Sequence, residues 1–387
     1  MNTQDTSVHI KLWHRDFWLM LIANLLLSIA VYMLVPTLPH WMLDRGFLLE
    51  ETGIAMGAFA FGLFLPGPFC SYLVQRYRRN WVCMLAILAL TACFTILFYQ
   101  EEIPDYHAII LLRVVLGASF GLAQMVLSST LIIDASESFR RTEANYSSSW
   151  FSRFGLSLGP LMGLFIYKHL GYTEVLLLGI MLATVSILLI LSVNFPFKTP
   201  SDKLSVFSLD RFFLPEGFPL FVNLFVITSA LGLVLSVVWA DKFYALLMIG
   251  FLLALLSKRF VFKDAELKSE VVTGLILMGA AVLLLLTRKA EIVGYISPLF
   301  IGLGIGIIGS RFLLFFIKLS RHCQRGTSQS TFLLAWESGI AVGLGVGYGL
   351  FHIYEPHVYI VSFGLTCLAL VAYIRYTHQW FVKHKNR

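Results

Sequence analysis

The chain reads as an all-α membrane protein with twelve transmembrane helices in two pseudo-symmetric six-helix bundles. Three observations predict this. First, 58% of its 387 residues are hydrophobic and only 13% are charged, where a soluble domain carries about 25% charged residues. Second, twelve apolar segments can be drawn, each about long enough for a ~30 Å hydrocarbon core. Third, residues 141–163 and 325–347 look like two copies of one helix. A shift of 184 residues superposes Arg141 on Arg325, and Gly155, Gly159 and Gly163 on Gly339, Gly343 and Gly347. A duplicated apolar helix half a chain apart points to two related halves.

The segments fall roughly at 17–38, 52–74, 81–99, 107–134, 145–167, 173–194, 217–239, 242–257, 270–287, 292–319, 327–352 and 357–378. The first follows Lys11 and Arg15. It is longer than a signal-peptide core and no small-residue cleavage site follows it, so it reads as a membrane helix. The eighth is the shortest, because Asp241 and Lys242 crowd its start. With the N-terminus placed in the cytoplasm, 21 of the 29 Lys and Arg fall in cytoplasmic loops and 5 on the other side. The remaining three, Arg113, Arg153 and Arg311, lie inside segments. This alternation supports cytoplasmic N- and C-termini in a plasma (inner) membrane. It also accounts for the net charge of +7 without a nucleic-acid partner. The longest internal linker, 195–216, holds prolines and mixed charges. It divides the chain into bundles 1–194 and 217–387. The five cysteines lie in apolar runs or beside a basic loop, and no disulfide is expected.

Several motifs recur in an order that carries information. The fourth segment holds Arg113, Gly117 and Gly121 at intervals of four. The fifth holds Gly155, Gly159, Pro160 and Gly163. A Gly-rich tenth segment leads through a basic loop into Arg325-Gly326-Thr327. Together with a six-plus-six split, these features resemble the major facilitator superfamily, over nearly the whole chain. The Arg113 motif is similar to that family's Arg-x3-Gly motif, and Gly159-Pro160 is similar to its "antiporter" motif. The second-to-third loop departs from the family pattern. It keeps Arg76 and Arg79 as gating cations but has Gln75 where the family carries an acid that latches the cytoplasmic gate. That latch is therefore expected to differ or to be weaker.

Polar residues inside apolar helices mark the places where function or helix pairing is concentrated. Arg113, Gly117, Gly121, Gln124 and Ser128 share one helical face. Arg113 is read either as a cavity cation for substrate and proton coupling or as a structural group bonding carbonyls of neighbouring helices; the resemblance favours the first. Arg153 lies about 16 Å into its segment at 1.5 Å per residue, and Glu337 sits at the matching depth in the second copy. Glu337 is the one acid read as lying deep inside a segment. It is either the proton carrier or a structural partner for an Arg. Arg311 either lines the vestibule or snorkels to the interface. Asn24, Ser28 and Tyr32 share a face of the first segment, and Asn223 occupies the corresponding depth of the seventh. The resemblance implies that segments one, four, seven and ten line a central cavity. Both Asn are then substrate contacts, or else interhelical hydrogen-bonding groups. The repeated glycines are read as smooth contacts between halves that permit rocking, with Pro160 a possible bend.

No metal-ligating, nucleophile or phosphate-loop motif is visible, so no enzyme activity, metal or cofactor is expected. The resemblance implies a monomeric secondary transporter working by alternating access in a lipid bilayer. The Gly-Pro motif leans to export of a small organic molecule by proton exchange. Three arginines against Glu337 lean to anionic or amphipathic substrates. Proton-coupled uptake is the alternative within the class, and a non-transporting sensor or scaffold the alternative outside it.

Overall fold

The computed structural model describes residues 12–101, 104–195, 205–260, 266–288, 290–321, 324–352 and 354–386. Cys323, the loop cations Lys11, Lys198, Lys203, Lys263, Lys289 and Arg387, and positions 196–204 of the linker lie outside them.

Each of the twelve apolar segments falls on a helix. They are α1 (Arg15–Asp44), α2 (Leu49–Phe64 and Gly67–Arg76), α3 (Arg79–Tyr99), α4 (Tyr106–Asp134), α5 (Arg141–His169) and α6 (Tyr172–Leu191), then α7 (Phe218–Ser236), α8 (Asp241–Phe260), α9 (Leu267–Thr287), α10 (Glu291–Leu319), α11 (Arg325–Phe351) and α12 (Glu355–His384). Among the described residues nine are long and apolar enough to cross a membrane, and the two pieces of α2, bent by 45°, make a tenth. The bend falls at Leu65-Pro66, where proline cannot donate to the helix ladder. The two that fall short are α5 and α8. Helix α5 spans 29 residues, but Asn145, Ser148, Ser149, Ser152 and Arg153 dilute its hydropathy. Helix α8 is flanked by charge, as its sequence suggests.

Local chemistry sets several ends. Nδ1 of His14 accepts from Phe17 N at 3.3 Å and caps α1. Asp105 caps α4 by accepting from His107 N and Ala108 N. Gly171 turns the chain between α5 and α6 at φ +110°, a conformation that glycine adopts without strain. Wide π-type turns interrupt α4 at Leu127–Leu131, α11 at Gly347–Phe351 and α12 at Tyr373–Thr377; such turns are frequent at functional sites.

Helix α1 packs on α5 and α6, α2 on α4, and α3 on α4 and α6; α7 packs on α11 and α12, and α10 on α8 and α9. The echoed glycines explain the closest of these pairings, and they correct the reading of them as contacts between halves. A Cβ on Gly155 would lie 2.5 Å from Cβ of Ser28, and one on Gly163 2.9 Å from Met33 O, so this face of α5 is pressed on α1. Gly339, Gly343 and Gly347 meet Thr228, Ser229 and Ser236 of α7 in the same way. Gly159 and Pro160 belong to the same continuous α5. Between the first six helices and the last six, α5 meets α8, and the closest backbone approach by glycine lies where α2 crosses α11. A Cβ on Gly53 would come within 2.5 Å of Gly349 N and 2.6 Å of Gly345 O.

This contact closes the molecule at the face opposite the one carrying the N- and C-terminal ends. Substituting Gly53 by Val should force the two backbones apart and lower unfolding stability by about 1–3 kcal/mol, the usual cost of overpacking. Gly364→Ala, where a Cβ meets open space, should be close to neutral. Thermal unfolding of the two variants in detergent checks the difference.

Candidate functional site

A small cavity of about 20 Å3 lies among the helices. It is lined from one side by Asn24 of α1, Gln124 and Ser128 of α4, and Ser148, Ser149, Ser152 and Arg153 of α5. Gln329, Phe332, Leu333, Trp336 and Glu337 of α11 line the other. Four of the five polar residues that lower the hydropathy of α5, all but Asn145, thus line the cavity.

Short polar bonds arrange the first wall. Nδ2 of Asn24 donates to Ser148 O at 3.0 Å and lies 3.3 Å from its Oγ. Ser28 and Ser152 hydroxyls are 3.2 Å apart, and Nε2 of Gln124 donates to Ser28 Oγ at 3.3 Å. Tyr32, beside the first wall, ties it to the second through Glu337 and Trp336. The Tyr32 hydroxyl of α1 donates to Oε1 of Glu337 in α11 at 2.6 Å, and both side chains are buried.

Arg153 reaches in the other direction. Its Nη1 donates to Ser310 Oγ at 2.8 Å and to Gly306 O at 3.2 Å, both on α10, and its Nη2 donates to Ser149 Oγ at 2.7 Å. The guanidinium lies 4.6 Å from the Trp150 ring, 5.7 Å from Trp336 and 6.0 Å from Phe332. A buried cation is tolerable when hydrogen bonds and aromatic faces replace its water. Arg153 and Glu337 share the cavity, but their recorded partners are different groups.

Of the eight residues expected at the cavity, Asn24, Gln124 and Arg153 line it; Ser28 and Tyr32 do not, but bond to the lining residues Ser152 and Glu337, and three lie elsewhere. Nε of Arg113 donates to Ala55 O at 3.3 Å, and its guanidinium covers the Phe59 ring at 4.8 Å. It joins α4 to α2, away from the cavity, and so has no contact with Glu337 or a substrate path. The carbonyl-bonding reading is the correct one. Asn223 donates to Ala369 O at 3.1 Å and joins α7 to α12. Arg311 neither snorkels nor lines the central cavity; it forms a buried ion pair with Glu270 of α9 beside a smaller pocket. The sequence reading missed Glu270 because it stands at the drawn edge of the ninth segment, yet it is only 2% exposed. It also missed Gln329, Phe332 and Trp336. The signal available was the polar run Thr327–Thr331 opening an otherwise apolar helix.

Both faces of the molecule are held shut around the cavity. On the face opposite the chain ends, His40 stacks on Trp239 with ring centroids 3.3 Å apart, and Ser157 Oγ donates to Tyr244 O at 2.8 Å. Lys168 Nζ bonds Asp241 Oδ1 at 3.1 Å. On the face of the chain ends, Arg79 pairs with Asp134 and stays within the first six helices, while Arg76 is exposed. The linker supplies the acid that the second-to-third loop lacks. Asp210 accepts from Ser71 of α2 at 3.2 Å through one oxygen and from Thr327 of α11 at 3.1 Å through the other. The next residue, Arg211, holds the left-handed φ of 60°, a strained choice for a non-glycine residue. It is kept there by bonds from its backbone N to Thr327 and from its side chain to Thr130, each 2.8 Å.

Two outcomes follow from these bonds. Asp210→Ala should raise hydrogen exchange in residues 67–76 and 325–331 and cost about 1 kcal/mol, a small value because the carboxylate is half-exposed. Glu270→Ala should cost about 3–5 kcal/mol by leaving Arg311 buried and unpaired. The pair Glu270→Leu with Arg311→Met should recover most of that loss, as measured by thermal unfolding.

No curated protein sequence matches the chain recognisably. Solved structures do. The human organic anion transporter MFSD10 (TETRAN) superposes with a TM-score of 0.69 at 15% identity, over 92% of this chain and 98% of its own. A variant of the nucleoside transporter NupG gives a TM-score of 0.69 at 12% identity, over 93% and 99%. A variant of the E. coli fucose:proton symporter FucP gives 0.63 at 13%, over 93% and 98%. At these identities the likeness is one of fold. The sequence profile of the Major Facilitator Superfamily matches residues 20–352. The chain, a multi-pass membrane protein with the fold of these transporters, belongs to the major facilitator superfamily.

Proposed function

We propose that the chain is a secondary active transporter that exports a small amphipathic organic molecule in exchange for protons. In this reading all twelve helices span the membrane as two six-helix bundles, 1–194 and 217–387, joined by the linker 195–216. The loop charges support cytoplasmic chain ends, and hence a cytoplasmic position for Asp210. The substrate binds in the central cavity, and the bundles rock to open it to either side. The Gly159-Pro160 motif supports export as the direction.

The observation that carries proton coupling is the bond from Tyr32 to Glu337. It links α1 to α11 at the cavity wall, beside a second side-chain contact from Tyr32 to Trp336. With Glu337 ionised, the bond is charge-assisted and holds the helices together. With Glu337 protonated, the acceptor is neutral and the link weakens. A proton arriving at Glu337 therefore changes how firmly the bundles adhere beside the substrate. Of the three arginines that leaned to anionic substrates, only Arg153 lines the cavity, and Ser149, Ser310 and Gly306 already accept from it. The anionic preference is not retained.

Reconstitution in liposomes with an internal pH-sensitive dye tests this reading. Wild-type protein should move protons when a transported solute is added from a mixed panel of labelled organic compounds. Glu337→Gln should exchange solute between equal pools but lose accumulation driven by a pH gradient. Gradient-driven accumulation that survives in Glu337→Gln would remove Glu337 from the carrier role.

A further inference from the structure

Among the side chains that line the central cavity, three amide oxygens have no hydrogen-bond partner among the described residues, Oδ1 of Asn24, Oε1 of Gln124 and Oε1 of Gln329, against one unpartnered donor, Nε of Arg153. Their side chains are 1%, 0% and 2% exposed. They come from α1, α4 and α11, so both walls contribute. A buried acceptor without a donor costs stability, and native proteins carry few of them. Three converging on one cavity describe a site short of hydrogen-bond donors. The orientation of Asn24 is fixed independently, because its Nδ2 faces the carbonyl of Ser148.

We infer that the cavity, once the bundles rock it open, takes an uncharged, multiply hydroxylated solute with one apolar face, such as a sugar, a polyol or a nucleoside. Hydroxyl groups supply the donors that the three amides lack. The rings of Phe332 and Trp336, also in the wall, offer a flat surface to the C–H face of such a molecule. Charge excludes the other classes. A cationic amine would donate as well, but it would sit beside the Arg153 guanidinium in a medium that screens poorly. An anion would set its charge against three carbonyl oxygens and Glu337. Of Arg153 it would find only Nε without a partner, the Nη atoms being held by Ser310 and Ser149. This inference rests on the transporter reading and narrows it.

The test uses the full chain in liposomes. Glucose, mannitol and uridine serve as hydroxylated neutral probes, benzoate and para-aminohippurate as anions, and tetraphenylphosphonium and choline as cations. Flux of one or more neutral probes, with none of the charged ones, is the expected result. Flux of charged probes alone would overturn this inference and leave transport standing. Flux of none of them would overturn the transporter reading itself. Gln329→Met then separates a binding role from a packing one, because no hydrogen bond of Gln329 is recorded among the described residues. The variant should keep or raise the thermal midpoint of the empty protein, since an unpaired buried acceptor is removed. It should raise KM for the transported neutral probe about tenfold, the worth of one hydrogen bond. An unchanged KM in a folded Gln329→Met protein would overturn the assignment.

Discussion

The constraint on which the structure depends is that a charge or polar group inside an apolar bundle must find partners within the protein. Each intramembrane arginine meets it differently. Arg113 uses a backbone carbonyl and a phenyl ring. Arg311 uses the carboxylate of Glu270. Arg153 uses two hydroxyls, a carbonyl and a surround of aromatic rings. The first two pairings join neighbouring helices of one bundle. The third joins α5 to α10 across the bundles and holds a cation at the cavity wall.

Glycine sets the distances that make these bonds possible. Where α5 lies on α1, the glycine face lets Ser28 and Ser152 come within hydrogen-bonding range, and Gln124 joins them. Where α11 lies on α7, the same register admits the Thr228 side chain, whose hydroxyl reaches Ala335 O at 3.2 Å. The duplication therefore preserved a packing surface within each half. The surface between halves is a separate invention, made by Gly53 of α2 against Gly345 and Gly349 of α11. One helix, α11, carries both glycine sets on different sides, which lets it be fixed to its own bundle and still meet the other.

Helix existence and order were legible because a membrane span imposes length and hydropathy on every segment. The duplication was legible because glycine cannot be replaced where backbones touch. Which arginine faces the cavity was not legible. Arg113, Arg153 and Arg311 look alike in sequence, and their roles depend on what the neighbouring helix presents: Ala55 O, Ser310 or Glu270. The helical face through Arg113 and Gln124 was drawn correctly, yet its two ends have different surroundings. Gln124 reaches the cavity, while Arg113, three turns earlier, is covered by α2. Asp210 was hidden for a similar reason. A linker acid carries no helical register, so nothing local ties it to Ser71 and Thr327.

The matching positions of the duplicated helices carry opposite charges, and geometry gives that asymmetry a physical sense. Had Arg153 and Glu337 paired with each other, they would form a neutral structural link between bundles, and a proton entering it would face an adjacent cation. Instead Arg153 is satisfied by α10, and Glu337 is left to the weaker donor Tyr32. A phenol holds a carboxylate less tightly than a guanidinium does. In the proposed exchange, one proton would loosen that bond, with the Tyr32–Trp336 contact beside it unchanged. The same separation would leave Arg153 as a constant positive charge on one side of the cavity and Glu337 as a variable one on the other. On that proposal the net charge of the site changes with each proton while its amides and aromatic wall stay the same, so hydrogen-bonding discrimination and response to a gradient would fall to different residues.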